Sequence, residues 1–137
     1  MPPTPYVLRA DLIRELIAYG MLDVNGQQRA TSRVQSVVTA TTVTPNIDLE
    51  DAVDVTALAS ALTIAAPTGT PGNFQGLTLR FKDNGTARVL TWNAVYVAGG
   101  TALPVITVVN KILTVGFLYN SANGLNKWQC VASAQEA

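Results

Sequence analysis

The densest group of side chains that could do chemistry is a run of four carboxylates: Asp48, Glu50, Asp51 and Asp54. Carboxylate oxygens are the ligands that Ca²⁺ prefers, and the ion takes roughly six to eight oxygens in a flexible geometry. The spacing of this run lacks the loop and the glycine of an EF-hand. We therefore favour a solvated acidic loop, or a partner for basic residues on a neighbouring subunit, over a calcium site.

This chain lacks the residues that most other enzymatic reactions use. The 137 residues contain no histidine, so the commonest proton shuttle and zinc ligand is missing. Cys130 is the only cysteine, which excludes an intrachain disulfide and favours a small, buried apolar side chain. The glycines match no phosphate-binding loop, because no Lys-Ser/Thr pair and no helix start follow them. We expect neither an enzyme nor a bound cofactor or metal.

The aromatic residues do not mark a sugar groove. Trp92 and Trp128 lie in apolar strand-like segments, so we interpret them as core or hairpin anchors rather than as sugar-stacking residues. Glycoside hydrolysis by paired carboxylates is disfavoured for the same reason, because no cluster of exposed aromatics accompanies the acidic run.

The charge balance argues against nucleic-acid and membrane partners. Nine basic and nine acidic residues cancel, so no overall field draws the chain to nucleic acid or anionic lipid. The opening residues do not form a signal peptide, and no apolar run is long enough for a membrane span. Charged residues make up 13% of the chain, against about 25% in a typical soluble domain. With 16 threonines, this composition is typical of β-structure and suits a chain that covers its surface with partners.

Residues 1–34 are predicted to form an N-terminal arm, one amphipathic helix and a polar linker. At 100° per residue, the segment 8–19 has one broad apolar side, and Asp11 and Arg14 are spaced for an i,i+3 pair. Gly20 is placed to end the helix. We expect this segment to contact a partner, although it could instead cap its own β-domain. The proposed contact residues are Tyr6, Leu8, Leu12, Ile13, Leu16, Ile17 and Tyr19.

Residues 35–137 are predicted to form a mainly β domain, an antiparallel β-sandwich with jelly-roll-like topology. Apolar runs alternate with turn signals rather than with helical patterns. If Asn84 and Gly85 form a type I′ turn, Leu79 pairs with Leu90 and Leu77 with Trp92 in a hairpin. The predicted strands are 36–44, 52–56, 61–66, 77–82, 86–92, 95–98, 106–109, 112–119 and 127–132.

Several ordered signatures in the β region carry a family resemblance. They include Arg80-Phe81-Lys82-Asp83-Asn84-Gly85, the segment 62–71 and the closing Val115-Gly116-Phe117-Leu118-Tyr119-Asn120. The set resembles a β-domain of tailed-bacteriophage virion proteins, which occurs in capsid decoration (cement) proteins, head fibres and tail-fibre-like proteins. The resemblance covers roughly residues 36–134. It implies a non-enzymatic structural role and a homotrimer that binds the capsid lattice or a tail structure.

The short chain, in which we expect no β-helical shaft, favours a decoration protein within that family. The resemblance then implies the major capsid protein as partner and the outer capsid surface of the virion as location, after synthesis in the host cytoplasm. The alternatives are a head-fibre or tail-attachment protein and, from a different class, a carbohydrate-binding module.

Overall fold

The computed structural model describes residues 31–137 and, within the N-terminal segment, Asp11, Leu12, Arg14, Glu15 and Ala18. These five residues are helical, and the Arg14 guanidinium lies 3.7 Å from the Asp11 carboxylate, as expected for the i,i+3 pair. The remainder of the predicted helix, Gly20 and the linker up to residue 30 lie outside the described residues. The chain divides into two compact units, Met1–Thr31 and Ser32–Ala137.

The second unit is built from β-strands, which confirms the prediction of a mainly β chain. One 3₁₀ turn, Ala122–Gly124, lies between the last two strands. The strands are β1 (Val34–Val37), β2 (Thr42–Val43), β3 (Ala52–Leu58), β4 (Leu62–Ile64), β5 (Gly76–Asp83), β6 (Leu90–Trp92), β7 (Tyr96–Ala98), β8 (Ile112–Asn120) and β9 (Lys127–Gln135).

The strands form two sheets whose pairing is mostly parallel. The larger sheet has the order β1-β3-β5-β8-β9-β7, and the smaller sheet has the order β2-β4-β6. Among these strands, only the β5–β8 and β8–β9 pairs are antiparallel. The prediction of antiparallel sheets is therefore wrong for the other pairs, and a jelly-roll topology is not confirmed.

The first six strands form a short coil. Odd-numbered strands enter the larger sheet and even-numbered strands enter the smaller one, so each turn of chain lies parallel to the turn before it. This is the pairing of a β-solenoid, which the sequence patterns did not predict. The turns differ in length, because Val34 pairs with Ala52 and Ala52 with Thr78. A coil of unequal turns leaves no fixed-period repeat in the sequence.

The predicted hairpin between residues 77 and 92 does not form. Leu79 pairs with Val53 and Val115, while Leu90 pairs with Leu62 in the smaller sheet. A type I′ turn needs a positive φ at both central residues, and only Gly85 has one. The predicted strand 36–44 is likewise divided between β1 and β2, and 106–109 contributes only a single bridge, from Ile106 to Val89.

The buried carboxylate of Asp83 lies where the chain leaves the larger sheet. Asp83 is only 3% exposed. Its oxygens accept hydrogen bonds from the backbone N–H groups of Gly85 (3.0 Å) and Asn110 (2.9 Å) and from the Thr107 hydroxyl (2.9 Å). The Thr107 oxygen in turn accepts from the backbone N–H of Arg88 at 2.8 Å. This Asp83 network therefore ties the bend after β5 to the segment 107–110.

One hydrophobic core contains buried side chains from both sheets. Trp92 of β6 lies at its aromatic centre, with ring centroids 6.1 Å from Phe81 and 5.4 Å from both Tyr96 and Phe117. Its indole N–H donates to the Pro104 carbonyl at 2.6 Å. Trp128 and Cys130 are buried, which confirms the core assignment of both residues. Burial also raises the pKa of the Cys130 thiol, with a smaller opposing effect from the backbone of Ala132.

The smaller sheet presents threonines to solvent. Thr42, Thr63 and Thr91 occupy one row across its three strands, and all three are exposed. Their neighbours Val43, Ile64 and Leu90 point into the core. The alternation of threonine with apolar residues thus accounts for part of the high threonine content.

The Asp83 network predicts how this fold responds to substitution. We expect Asp83→Ala to lower the free energy of unfolding by about 3 kcal/mol, because it leaves three donors without their buried acceptor. In chemical denaturation at neutral pH, the control Asp54→Ala, which removes only a surface ion pair, should cost no more than about 1 kcal/mol. Equal losses in the two variants would contradict the central role of Asp83.

The pH dependence follows from the same carboxylate. Burial alone would raise the pKa of Asp83, but the hydrogen bonds from Asn110, Gly85 and Thr107 outweigh it and hold the pKa below its usual value. A lowered folded-state pKa stabilises the fold above the unfolded value of about 3.9, and this stabilisation is lost as the pH falls through the folded value. The stability difference between the wild type and Asp83→Ala should therefore narrow below about pH 4.

Candidate interaction surfaces

The outer face of the larger sheet is the broadest surface that the strands form. Along β5, Leu77, Leu79, Phe81 and Asp83 point inward, while the alternate residues Gly76, Thr78, Arg80 and Lys82 point outward. The inward set agrees with the alternation expected from the sequence. The outward set is aligned with outward residues of β1, β3, β8 and β9, so the face is continuous across five strands.

The centre of this face carries small, uncharged side chains. Strand register places Val34 beside Ala52, Ala52 beside Thr78, Thr78 beside Gly116 and Gly116 beside Ala132. We call these five residues the outer-face row. None of them has a side chain larger than valine, and three of its members, Val34, Thr78 and Ala132, are exposed. A depression of about 280 Å³ lies on the β1–β3–β5 part of the row, where Val34, Ala52 and Thr78 line it together with Asp51, Asp54 and Arg80.

The adjacent row contains an ion pair that is closed within the chain. Arg80 donates from Nε (3.1 Å) and Nη2 (2.8 Å) to the two carboxylate oxygens of Asp54, which lies opposite it on β3. The hydrogen bond from Arg80 lowers the pKa of Asp54, and the same bond raises the pKa of Arg80. This bidentate ion pair orders both side chains on the surface of the sheet. It also leaves neither of the two charges unpaired at that position.

The acidic run is also used within the chain. Arg33 donates to both oxygens of Asp51, at 3.1 and 2.7 Å, and the pKa of Asp51 is lowered mainly by this side-chain pairing. Glu50 accepts from the backbone N–H of Asn46 at 3.0 Å, and Asp48 accepts from that of Thr70 at 3.1 Å. In the described part of the chain, no three such side chains are placed to share a metal ion. These three carboxylates therefore accept hydrogen bonds from groups of their own chain.

The sequence-predicted partner residues are mostly beyond the described structure. Leu12 is the one that the structure describes, and its side chain is 55% exposed. Tyr6, Leu8, Ile13, Leu16, Ile17 and Tyr19 lie outside the described residues, so the structure does not bring the set together.

Phe74 is the functional candidate that sequence reasoning missed. Its side chain is 78% exposed and its backbone has φ +66°, a conformation that bulky residues rarely adopt. Two backbone hydrogen bonds hold this geometry: Phe74 donates to the Tyr119 carbonyl (2.8 Å), and Tyr119 donates to the Gln75 carbonyl (2.9 Å). The sequence feature that could have indicated this residue is the position of a phenylalanine within the turn-rich segment Pro71-Gly72-Asn73-Phe74-Gln75-Gly76.

A shallow depression of about 170 Å³ lies beside Phe74, and we call it the Phe74 groove. Its lining is aromatic, aliphatic and amide in character, and it includes no charged side chain. The lining residues are Asn73, Phe74, Leu118, Tyr119, Asn120, Ala122, Gln129 and Val131.

A second exposed apolar area lies near the smaller sheet. The segment 105–109 runs antiparallel to the start of β6: the Leu90 N–H donates to the Val105 carbonyl, and the Thr107 N–H donates to the Arg88 carbonyl. Thr107 points inward to Asp83, whereas its neighbours are substantially exposed. The exposed members are Val89, Val105, Ile106, Val108 and Val109.

Comparison with known proteins adds no relative to these observations. No protein-family model matches the chain, and no curated protein is significantly similar to it in sequence. Among the residues that the structure describes, no helix has the length and apolar character needed to cross a membrane.

The backbone of Phe74 leads to a stability prediction. Replacing it by glycine removes the steric penalty of the positive φ and removes almost no buried surface. We therefore expect Phe74→Gly to leave the free energy of unfolding unchanged or to raise it by up to about 1 kcal/mol. The matched variant Phe117→Ala, which empties a core position, should lower it by about 3–5 kcal/mol. Denaturant titration of both variants tests this, and a marked loss in Phe74→Gly would show that Phe74 has a packing role.

Proposed function

We propose that this chain is a structural protein of a bacteriophage virion, most specifically a capsid decoration (cement) protein. In this proposal the β-unit is a two-sheet sandwich that assembles as a homotrimer on the outer capsid surface. The N-terminal segment, with its apolar residues around Leu12, contacts the major capsid protein. The sequence resemblance suggested this role, and the character of the β-unit surface is what supports it here.

The outer-face row is the observation that carries the proposal. Small side chains allow close approach of a second backbone, and the centres of protein interfaces are depleted of charge. Val34, Ala52, Thr78, Gly116 and Ala132 meet both conditions, and the nearby Asp54–Arg80 pair is neutralised within its own subunit. We therefore assign this face to contact between copies of the chain.

The mechanism in this proposal is adhesive. Each subunit contributes a modest contact through its N-terminal segment, and the trimer presents three such segments to a symmetric capsid position. Linking the contacts makes the second and third binding events intramolecular, which multiplies weak single affinities. Bridging neighbouring capsid subunits in this way raises the free energy needed to separate them.

A head-fibre or tail-attachment role is the second form of this proposal. In this form the same trimer binds a different partner. The short coil of β1 to β6 is then the base of the fibre or tail attachment and not a projecting shaft. Capsid binding separates the two roles, since a decoration protein binds assembled capsids whereas a tail-attachment protein does not.

Matched substitutions on the two sheets test the assignment of the outer face. We expect light scattering to give three times 14.5 kDa for the wild type. Thr78→Glu places a charge at the centre of the outer-face row and should yield a monomer, because a buried, unpaired carboxylate is strongly unfavourable. Thr63→Glu makes the same change at an exposed threonine on the middle strand of the smaller sheet, and it should remain trimeric.

The possible results separate the parts of the proposal. A monomeric wild type would remove the homotrimer, and dissociation of Thr63→Glu but not Thr78→Glu would place the interface on the other sheet. Mixing the purified protein with empty capsids and sedimenting them tests the decoration role itself, which fails if the protein stays in the supernatant.

A further inference from the structure

We propose that the Phe74 groove is a binding site for a neutral sugar ring. This inference goes beyond a decoration role, because it assigns to the β-unit a ligand that capsid binding does not require. It rests on three features of the groove: an exposed aromatic ring on a backbone with a positive φ, two amide groups anchored through their oxygens, and the lack of charge in the lining.

The first feature is the conformation of Phe74. Backbone strain persists where the surrounding structure holds it in place, and such residues cluster at binding sites. Phe74 and its neighbour Gln75 are held against Tyr119 by the two backbone hydrogen bonds described above, and Gln75 is further fixed by a bond from its amide nitrogen to the Ile47 carbonyl (3.1 Å). The backbone that carries the ring is thus held in place, and the ring is exposed to solvent, which is unfavourable in itself for a phenylalanine.

The second feature is a pair of amide groups that are anchored through their oxygens. Asn73 Oδ1 accepts from the Ser121 N–H at 3.1 Å, and Gln129 Oε1 accepts from Asn120 Nδ2 at 3.0 Å. Within residues 31–137, no hydrogen bond uses Asn73 Nδ2 or Gln129 Nε2. Each side chain is therefore held in orientation while its NH₂ group remains available as a donor beside Phe74.

The composition of the groove defines the ligand class. An aromatic face packs against the C–H face of a pyranose ring, and amide NH₂ groups donate to hydroxyl or acetamido oxygens. The lining has no charged side chain that would recognise a phosphate, a carboxylate or an ammonium group. The volume of about 170 Å³ is below the roughly 300–1,000 Å³ of drug-sized clefts, which limits the occupant to one ring-sized group.

Apolar residues complete the site on the strand side. Leu118 and Val131 are partly exposed on β8 and β9 and line the groove together with Phe74. Val131 is available there because a register shift between Gly116 and Phe117 interrupts the pairing of β8 with β9. β-Bulges of this kind re-aim side chains and recur next to binding sites.

NMR titration of the full, ¹⁵N-labelled chain with methyl glycosides of glucose, galactose, mannose and N-acetylglucosamine tests the site. We expect at least one glycoside to shift the side-chain NH₂ resonances of Asn73 and Gln129, with a dissociation constant on the order of 1 mM for so shallow a site. Phe74→Gly should weaken binding by at least about tenfold, since it removes the ring without removing core contacts.

Isosteric variants isolate the two donors. Asn73→Asp and Gln129→Glu keep the oxygens that accept from Ser121 and Asn120 but remove the NH₂ groups, so each should weaken glycoside binding while the fold is retained. Asn93→Asp is the matched control, because Asn93 Oδ1 accepts from the Val95 N–H (3.0 Å) outside the groove. It should bind as the wild type does.

Two results would overturn the sugar site. One is that no glycoside shifts the Asn73 and Gln129 resonances at about 10 mM. The other is that Phe74→Gly changes the mass measured by light scattering, which would make Phe74 a subunit contact. Both are distinguishable from failure of the decoration proposal, which is decided by capsid binding and by the variants Thr78→Glu and Thr63→Glu.

Discussion

One buried carboxylate holds the chain in the bend at which it leaves the larger sheet. Asp83 lies at the end of β5, and its three hydrogen bonds reach two other parts of the chain, the bend at Gly85 and the segment from Thr107 to Asn110. A carboxylate removed from solvent is stable only when its oxygens accept hydrogen bonds. The chain therefore cannot continue β5 into a hairpin without breaking these bonds, and it crosses to the smaller sheet instead.

The crossing of the chain from β5 to β6 affects the strand pairing in both sheets. β6 joins β4, which brings Trp92 between Phe81, Tyr96 and Phe117 and so links the two sheets through one indole ring. The edge of β5 that a hairpin would have occupied is left for β8, and β9 then pairs with β8. The antiparallel part of the larger sheet, which supplies Leu118, Gln129 and Val131 to the Phe74 groove, thus depends on where the chain leaves β5.

The sequence predicted local features well and pairing poorly. Alternation along 77–82 correctly placed Leu77, Leu79 and Phe81 in the core, because the direction of a side chain in a strand depends only on its neighbours. The Asn84-Gly85 signal, in contrast, fits both a hairpin and a bend, and the choice between them is made by Thr107 and Asn110, far along the chain. Parallel pairing between turns of unequal length also joins residues that are far apart in the sequence, so neighbouring residues carry no signal of it.

The candidate sites differ in how far they could be foreseen. The acidic run was visible in the sequence, but its partner Arg33 is not marked by any motif, so the intrachain use of Asp51 required the structure. The sequence indicated Phe74 less clearly than the acidic run. Its φ, its exposure and the free amide groups of Asn73 and Gln129 are properties of three loops and strands brought together from positions 73, 119–121 and 129.

The two proposed surfaces border each other on the larger sheet. Leu118 and Gln129 are paired on the strands next to Gly116 and Ala132, two residues farther along β8 from the outer-face row. The outer-face row crosses β5 at Thr78, whereas Phe74 lies in the loop that precedes β5. The proposed assembly contact and the proposed sugar site therefore use different residues of the same face. Neither the outer-face row nor the lining of the Phe74 groove contains a charged residue, and an unpaired carboxylate or ammonium group at their shared border would be desolvated by a subunit packed there.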